Sequence, residues 1–341
     1  MSNSISYSDA GVSIDNANLA LDKIKNLAKS TFNAQTLTEI GSFGGMFSGA
    51  FPEMSEPILV ASADGVGTKL KIAFETGIHN TVGQDLVNHC VNDILAQGAR
   101  PLFFLDYFAC GKLNPEITVS VIEGFAKACK ESNCVLLGGE TAEVPSMYRD
   151  GEYDLAGFIV GVVDKPKVID GKKIAAGDVV LGLPSNGLQT NGYSLAQKLL
   201  FEIAGFKVDS KPEELNGETV GNVLFAIHPS FLKSLDKLLD SEKIKGLAHI
   251  TGGGLLENIP RVLPENVSVE IERGTWNEPP IFGLMQKIGN VEEKEMFRTF
   301  NMGVGMVVIC AEEDKQFLQN NLGECFEIGK AVEGNRKVKI K

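Results

Sequence analysis

The sequence predicts an α/β protein (an α+β arrangement with mixed sheets) built from two domains. Apolar, strand-like runs alternate with helical patterns through the first half of the chain, and a new series of strands begins after residue 166. The length of 341 residues is enough for about two domains. We therefore place an N-terminal domain at residues 1–166 and a C-terminal domain at residues 167–341, separated at Asp164-Lys165-Pro166.

Composition and charge narrow the functional class. A hydrophobic content of 43% and a charged content of 22% are typical of a soluble globular protein. The net charge of −12, without a basic run interleaved with aromatic residues, disfavours general nucleic-acid binding. We expect no membrane association, because no apolar stretch reaches the ~20 residues that cross a bilayer. The six cysteines form no C-x-x-C pair, so we expect buried thiols in a reducing cytoplasm.

The first elements lead into a polar motif. Residues 17–28 have helical periodicity, and the glycine-rich segment 41–49 is open to two interpretations, a plain turn or a flap over a ligand. The apolar run 58–61 predicts a strand that ends before Asp64-Gly65-Val66-Gly67-Thr68-Lys69. Glycine lets a backbone approach an anion, Asp can hold a metal ion, and Lys can neutralise phosphate. A polar turn after a strand would contain the same residue types, so the motif does not decide alone.

The helix predicted at residues 82–97 has an unusual polar face. Its apolar side chains fall on one side, and its other side has no Lys, Glu, Gln or Arg. Asp and Asn are poor helix formers, so their presence requires another reason. Short oxygen ligands suit a hard cation such as Mg²⁺, and a solvated stripe of unusual composition is the alternative. The residues of this face are Asp85, Asn88, His89, Asn92 and Asp93.

A second strand leads into a comparable motif. Strands are predicted at 101–109 and 134–137, with a helix at about 115–132 between them. The run 134–137 is followed by Gly138-Gly139-Glu140-Thr141-Ala142-Glu143. Two glycines allow close approach to a phosphate while the acid reaches a metal ion, and a glycine turn with solvated acids is the alternative. The recurrence of strand, glycine, acid and hydroxyl favours the first interpretation.

The second half offers two further anion sites. A strand at 178–183 leads into Ser185-Asn186-Gly187 and then Asn191, ahead of a helix predicted at 193–204. His249 precedes the glycines 252–254 and a short helix at about 255–263. Backbone amides at helix starts attract phosphate, although an ordinary cap or a structural histidine would produce the same pattern. The chain ends in two short strands that we interpret as a closing hairpin.

Taken together, these patterns favour phosphoryl transfer. The chain contains no G-x-S-x-G and no H-E-x-x-H motif, so they do not call for a nucleophilic triad. Three spaced acids, Asp64, Asp93 and Glu140, with glycine-rich turns and one lysine indicate Mg²⁺ and a nucleoside triphosphate. Phosphoryl transfer needs mainly positioning and charge neutralisation, which these residue types supply.

The motifs together resemble those of the phosphoribosylformylglycinamidine cyclo-ligase, or aminoimidazole ribonucleotide synthetase, family of purine biosynthesis. Small departures occur at residues 144–148, where the family usually has M-P-G-M-Y and this chain has V-P-S-M-Y, and in the looser segment 41–49. The matching stretches follow the family order over nearly the whole chain: 7–12 (Y-S-D-A-G-V), 64–69 (D-G-V-G-T-K), 91–94 (V-N-D-I), 138–145 (G-G-E-T-A-E-V-P), 185–194, 249–254 (H-I-T-G-G-G) and 300–306 (F-N-M-G-V-G-M).

The resemblance implies a fold, an assembly and a reaction. The N-terminal α/β domain would dimerise through its sheet, and ATP would bind between subunit sheets and domains. ATP would phosphorylate the formamide oxygen of formylglycinamidine ribonucleotide, and the amidine nitrogen would then close the imidazole ring. The products would be aminoimidazole ribonucleotide, ADP and phosphate, formed in the cytoplasm.

The resemblance also implies roles for particular residues. Asp64, Asp93 and Glu140 would hold Mg-ATP, and Lys69 would neutralise phosphate. The nucleotide site would be shaped by Gly65, Gly67, Thr68, Gly138, Gly139 and Thr141. The ribonucleotide substrate would contact Ser185, Asn186, Gly187, Asn191, His249, Gly252 and Gly253. No side chain stands out as a general base.

Relatives in the same ATP-binding superfamily are the nearest alternatives. Formylglycinamidine ribonucleotide synthetase is usually a much longer chain, and selenophosphate synthetase would carry a reactive cysteine or selenocysteine near its N-terminus. The hydrogenase maturation relative needs a C-terminal cysteine, whereas this chain ends in K-V-K-I-K. Thiamine monophosphate kinase lacks the G-G-E-T-A-E run. A catalytically silent nucleotide-binding scaffold is the alternative from another class.

Overall fold

The fold was obtained as a computed structural model that describes the backbone of residues 14–341 and side chains from residue 20 onward. The matching stretch 7–12 lies outside the described residues. Within the described chain, the first half contains four helices and four strands. They are α1 (Ile14–Lys29), β1 (Pro57–Gly65), α2 (Leu70–Thr76), α3 (Val82–Leu95), β2 (Arg100–Cys110), α4 (Pro115–Glu131), β3 (Val135–Glu143) and β4 (Tyr153–Asp164).

The N-terminal sheet has the strand order β1-β4-β2-β3. Strand β4 runs antiparallel to both β1 and β2, whereas β2 and β3 are parallel. Helices α3 and α4 pack against each other and against one face, where Phe104 and Phe125 lie in a fully buried core. The two helices approach so closely that a Cβ on Gly83 would lie 2.4 Å from the carbonyl oxygen of Val121.

The opposite face of this sheet is open and apolar. Leu59 on β1 is 64% exposed, Phe158 on β4 is 47% exposed and Tyr107 on β2 is 36% exposed. Side chains alternate between faces along a strand, so these residues lie opposite the face that α3 and α4 cover. An apolar face of this kind is typical of an interaction surface.

The second half forms a six-stranded sheet with the order β10-β7-β9-β5-β8-β6. Helix α5 continues directly into a π-helical turn at Lys198–Ile203, and short 3₁₀ turns join several other elements. The elements are β5 (Val179–Pro184), α5 (Tyr193–Gln197), α6 (Val220–Leu224), α7 (Leu232–Leu235), β6 (Gly246–His249), α8 (Gly254–Asn258), β7 (Val267–Ile271), α9 (Pro280–Gly289), α10 (Glu293–Thr299), β8 (Val304–Cys310), α11 (Lys315–Leu322), β9 (Phe326–Glu333) and β10 (Val338–Ile340).

The predicted α/β class with mixed sheets is confirmed, but two local expectations are wrong. Strands β9 and β10 do not form a closing hairpin, because both pair with β7, on its opposite edges. Asp64 and the run Gly138–Glu143 do not follow their strands but lie within β1 and β3. Tertiary pairing with β4 and β2 extends both strands through residues whose local propensity is for turns.

The two sheets share no strand, and the position of the domain boundary stays a prediction.

Five of the six cysteines are buried and Cys325 is partly exposed. Among the described residues, no helix combines the length and apolarity that a membrane crossing requires.

Candidate active site between the two domains

The polar face of α3 forms the contact with the C-terminal half of the chain. The Asn88 side-chain amide donates to the carbonyl of His228 at 2.8 Å. Asn92 donates to the Pro229 carbonyl at 2.9 Å and accepts from the Phe231 backbone N–H at 2.9 Å. These short amides pair with the backbone of the loop at 228–231, which would otherwise have buried unsatisfied groups. The unusual composition of this face is therefore explained mainly by domain docking.

Lys69 is also part of this contact between the two halves of the chain. The sequence predicts instead that this lysine neutralises phosphate. Its side chain is fully buried, and its ammonium group donates to Asp85 Oδ1 at 2.9 Å. It also donates to the carbonyls of Gln189 at 3.1 Å and Ala226 at 2.7 Å. Burial lowers the pKa of Lys69 despite the charge of Asp85. With three acceptors around its three donors, this ammonium has no hydrogen left for a phosphate in the described structure.

A chain of hydrogen bonds links Asp64 on β1 to Asp93 on α3 through three histidines. His89 Nε2 lies 2.7 Å from Asp64 Oδ2, and His89 Nδ1 lies 2.7 Å from Thr190 Oγ1. Thr190 Oγ1 lies 3.2 Å from His228 Nδ1, and His228 Nε2 lies 3.1 Å from His249 Nε2. We refer to these residues as the histidine chain. The histidine chain ends at Asp93, which is hydrogen-bonded to His249 and Ser62.

The carboxylate of Asp93 is fixed by both of its oxygens. Oδ1 lies 2.8 Å from His249 Nδ1, and Oδ2 accepts from Ser62 Oγ at 2.8 Å. Its side chain nevertheless stays 26% exposed, and that of Asp64 stays 40% exposed. Both predicted carboxylates thus border an accessible space, and both belong to one cluster with His249.

The cluster is organised to hold its acids ionised. Burial alone would raise the pKa of Asp64, but the hydrogen bond and charge of His89 outweigh burial and lower it. The pKa of Asp93 is lowered in the same way, with His249 opposing burial most strongly. For His89, burial is outweighed by Asp64 and Asp93, so its pKa is raised, whereas burial lowers the pKa of His249. Ionised carboxylates at neutral pH are the form that binds a cation.

Other predicted residues lie at the interface between the two domains, which we call the seam. Gly67 has φ +63°, and the turn at Gly67–Lys69 places the Thr68 hydroxyl 3.0 Å from Ser194 Oγ. The side chain of Asn191 adjoins Gly252, where an added Cβ would lie 3.3 Å from its oxygen. The pair Gly252-Gly253 precedes α8, and Gly253 has φ +97°. The structure therefore brings Asp64, Thr68, Asp93 and His249 to the domain seam.

The segment Ser185-Asn186-Gly187 is engaged in internal hydrogen bonds. The buried Ser185 hydroxyl lies 2.8 Å from Asn301 Oδ1 and donates to the Gly187 carbonyl at 3.1 Å. Asn186 is exposed, and its amide donates to the Ile227 carbonyl at 2.6 Å. The substrate roles expected for these residues stay predictions, and their observed contacts stabilise the turn after β5.

Glu140 lies far from Asp64 within one chain. Strands β1 and β3 are opposite edges of the sheet, and three strand spacings separate them by roughly 14 Å. Four residues that pair with one another across the four strands lie on the helix-covered face: Asp64, Gly157, Asp106 and Gly139. Glu140 is the next residue on β3 and is exposed on the open face. The three predicted metal ligands are therefore not brought together by a single chain.

A second candidate pocket surrounds the glycines of β3. It is a cavity of about 720 Å³ between α1, the segment 39–45, α4 and the strands β2 and β3, and it includes Gly138, Gly139, Glu140 and Thr141 in its lining. Its lining also includes Asp106, whose pKa burial raises to about 7. A Cβ on Gly139 would lie 2.2 Å from Asp106 Oδ1, so this glycine is required for the close packing. The cavity is of the size of small-molecule pockets.

Several site residues were not identified from the sequence. His89 was placed on the polar face of its helix, but its partners Thr190 and His228 lie 101 and 139 positions further along the chain. His228 stands in Ile227-His228-Pro229, which matches no motif. Asp106 lies within an apolar strand run, and only its type, a carboxylate among apolar residues, could have indicated a functional position.

Comparison with known families gives two matches that cover most of the chain. Residues 53–163 match the family model described as "AIR synthase related protein, N-terminal domain". Residues 175–341 match "AIR synthase related protein, C-terminal domain". The first range contains Asp64, Asp93 and Glu140, and the second contains His228 and His249.

Similar curated proteins cover almost the full length. A phosphoribosylformylglycinamidine cyclo-ligase of Alkaliphilus oremlandii (strain OhILAs) is 49% identical over 98% of this chain and 99% of its own. One of Syntrophotalea carbinolica (strain DSM 2380 / NBRC 103641 / GraBd1) is 51% identical over 95% of this chain and 94% of its own.

Solved structures with the same fold are more distant in sequence. The thiamine-monophosphate kinase of Stenotrophomonas maltophilia K279a has a TM-score of 0.66 at 16% identity, covering 94% of this chain and 96% of that chain. Hydrogenase maturation protein HypE in complex with ATP has a TM-score of 0.64 at 16% identity, covering 92% of this chain and 88% of that chain. At these identities the likeness shows the fold alone.

Proposed function

The chain belongs to the phosphoribosylformylglycinamidine cyclo-ligase family, and on this premise we propose that it converts formylglycinamidine ribonucleotide and ATP to aminoimidazole ribonucleotide, ADP and phosphate. The observation that carries the proposal is that curated enzymes of this name are about 50% identical to this chain over nearly its full length. The arrangement of Asp64 and Asp93 supports it, because two ionised acids border an accessible seam between the domains.

The reaction requires a poor leaving group to be activated. ATP phosphorylates the formamide oxygen of the substrate, and the amidine nitrogen attacks the resulting iminophosphate. Phosphate then leaves as the imidazole ring closes. An enzyme for this chemistry must hold two reactants in line and neutralise phosphate charge, which requires positioned groups more than a nucleophilic side chain.

The acids of the seam fit a magnesium ion bound to nucleotide phosphates. Mg²⁺ prefers oxygen ligands and is usually held by one or two carboxylates together with phosphate oxygens and water. Asp64 and Asp93 supply two carboxylates whose pKa values are lowered, and Ser62 orients one of them. The ion would supply neutralisation of phosphate charge, and Thr68 with the backbone of Gly67 would lie beside the phosphates.

Glu140 takes part in the same site only if a second chain contributes it. The open apolar face that contains Leu59, Tyr107 and Phe158 supports dimerisation through this sheet. Glu140 stands on that face, whereas Asp64 and Asp93 lie toward the helix-covered face. A shared site therefore requires the partner's Glu140 to reach these acids around β1, which is an edge strand of the sheet. We therefore propose a homodimer with composite ATP sites, and we propose that the cavity at Gly138–Thr141 contributes to nucleotide binding.

The proposed reaction is tested by a direct assay of the purified protein with Mg²⁺ and ATP. We expect ADP release that depends on formylglycinamidine ribonucleotide, with one aminoimidazole ribonucleotide formed per ADP. ADP release without the ribonucleotide would favour another phosphoryl-transfer enzyme, and the absence of any turnover would favour a silent nucleotide-binding scaffold. Neither alternative is favoured by the curated relatives.

The composite site makes a quantitative prediction about mixed subunits. Asp93→Asn and Glu140→Gln chains should each be nearly inactive as homodimers. When they are mixed 1:1 after subunit exchange, half of the dimers contain both chains and one of their two sites has both acids intact. We therefore expect the mixture to recover about a quarter of the wild-type activity per chain.

The control mixes two batches of the same variant, which should stay inactive. Subunit exchange is followed independently by native mass spectrometry of isotope-labelled chains. If exchange is complete and the mixture stays inactive, the two acids do not meet across subunits.

The cellular setting follows from the proposed reaction and from the thiols. The substrate and product belong to purine biosynthesis, and the five buried cysteines are consistent with the proposed cytoplasmic location. We propose no nucleic-acid partner, since the binding partners required by the reaction are small molecules.

A further inference from the structure

Three of the four histidines of the chain gather in one buried cluster. His89, His249 and Asp93 each direct a ligand atom into the same space, and these atoms all lie within 4.8 Å of one another. The closest pair, His249 Nδ1 and Asp93 Oδ1, lies 2.8 Å apart, and His89 Nε2 lies 3.9 Å from Asp93 Oδ2. Zinc ligands at bond lengths of about 2.0 Å stand about 3.3 Å apart, so an approach of about 1 Å would form a coordination shell.

The outer sides of both imidazoles are supported by hydrogen bonds. His89 binds Thr190 through Nδ1, which leaves Nε2 directed at the acids. His249 binds His228 through Nε2, which leaves Nδ1 directed at Asp93. Histidines that ligate metals usually donate their second N–H to a hydrogen-bond acceptor, which sets the tautomer and the ring orientation. His228 serves both sides, because its other nitrogen also binds Thr190.

Hydrogen positions in the histidine chain are consistent with a bound cation. His89 Nδ1–H and His228 Nδ1–H can both donate to Thr190 Oγ1, while His249 Nε2–H donates to His228 Nε2. Each of these contacts then joins a donor to an acceptor. In the metal-free chain the inner nitrogens, His89 Nε2 and His249 Nδ1, are hydrogen-bonded to Asp64 and Asp93. A metal ion bound between them would take the place of these protons, so metal binding should release protons.

We propose that His89, His249 and Asp93 form a binding site for a zinc ion, with Asp64 beside its open coordination position. The donor set decides the kind of metal, because two imidazoles and a carboxylate favour zinc or a similar transition metal over Mg²⁺, which prefers oxygen. The site goes beyond the proposed cyclo-ligase reaction. Since it uses Asp93, a zinc ion bound here would compete with Mg-ATP for that carboxylate.

The burial of the histidine ligands favours binding of zinc at one specific site over nonspecific adsorption of zinc to the protein surface. The side chains of His89 and His249 are each 4% exposed, and His228 is fully buried. Asp93 and Asp64 are the partly exposed members, so they form the entry side. The ligands come from both halves of the chain, and zinc binding should therefore also stabilise the contact between the domains.

The test is titration of the purified, nucleotide-free protein with Zn²⁺ by calorimetry, and with Co²⁺ by visible absorption. We expect one Zn²⁺ per chain and Co²⁺ bands typical of four- or five-coordinate nitrogen and oxygen ligands. His89→Gln and His249→Gln should each weaken Zn²⁺ binding at least ~100-fold. Thr190→Val, which removes a supporting hydroxyl but no ligand, should weaken it by about 10- to 100-fold. A large excess of Mg²⁺ should not displace the zinc.

His79→Gln is the matched control, because His79 is the one histidine outside the cluster and is bonded to the Tyr153 hydroxyl. This variant should bind Zn²⁺ as the wild type does. Circular dichroism verifies that each variant is folded, and Thr190→Val covers the case of a histidine variant that fails to fold. Absence of stoichiometric Zn²⁺ binding by the wild type would overturn the proposal, as would unchanged binding in folded His89→Gln. Metal binding is read without substrate, so a failed cyclo-ligase assay leaves this result independent.

Discussion

Replacing Asp93 by asparagine is expected to lower kcat of the cyclo-ligase reaction by about 100- to 1,000-fold, the order found when one preorganised electrostatic group is removed. Asparagine keeps the size of the side chain and can keep its hydrogen bonds. Its oxygen can accept from His249 Nδ1, and its amide can donate to Ser62 Oγ. The substitution therefore removes the negative charge while it preserves the local connectivity.

The measurement is steady-state turnover at saturating Mg-ATP, together with the urea midpoint of unfolding. Asp209→Asn is the control, because it neutralises an exposed carboxylate away from the seam. We expect Asp209→Asn to unfold at the wild-type midpoint and Asp93→Asn to unfold at a somewhat lower one, because the histidines stabilise the ionised carboxylate of Asp93. Only Asp93→Asn should lose activity. Turnover within about threefold of the wild type in Asp93→Asn would remove this carboxylate from the phosphate site.

Replacing Lys69 by methionine is expected to destabilise the protein by about 3–5 kcal/mol, the usual cost of removing one partner of a buried ion pair. Methionine fills much of the space of the lysine stem, but it leaves the Asp85 carboxylate buried without a counter-charge. The carbonyls of Gln189 and Ala226 lose their donor as well. We expect a large drop in the urea midpoint.

Two further variants separate the ion pair from other effects. Lys69→Met combined with Asp85→Asn should recover part of the loss, because the neutral amide can still accept from the His228 N–H. Lys29→Met, which breaks an exposed pair with Glu39, should cost less than about 1 kcal/mol. If Lys69→Met leaves stability unchanged but raises KM for ATP, the original prediction that Lys69 neutralises phosphate is correct.

Much of the secondary structure could be predicted from local patterns, and the same patterns single out the candidate acids. The helix containing Asp93 was recognised from its apolar spacing, and α4 from Pro115 and the inward residues after it. Period and capping signals are local, so a single sequence carries them. The motifs at 64–69 and 249–254 are predicted to be functional from their residue types and from their resemblance to one family.

The ends of strands are harder to predict from the sequence, because pairing with neighbouring strands decides where a strand ends. Glu140 was expected after a strand but lies within β3, where it pairs with Tyr107. A register shift next to Phe104 and Leu105 precedes this segment, and one residue of shift exchanges the two faces of a strand. No local signal in G-G-E-T-A-E specifies the face on which the glutamate stands.

The sequence by itself determined the family and the reaction class, and it predicted the acids of the site, because motif chemistry and order along the chain are linear properties. Only the tertiary structure decided how the residues are grouped. It buried Lys69 against Asp85 and joined His89 and His228 across 139 positions. It also set Glu140 apart from Asp64. Grouping depends on strand order, register and domain docking, which are long-range contacts that no single stretch of sequence encodes.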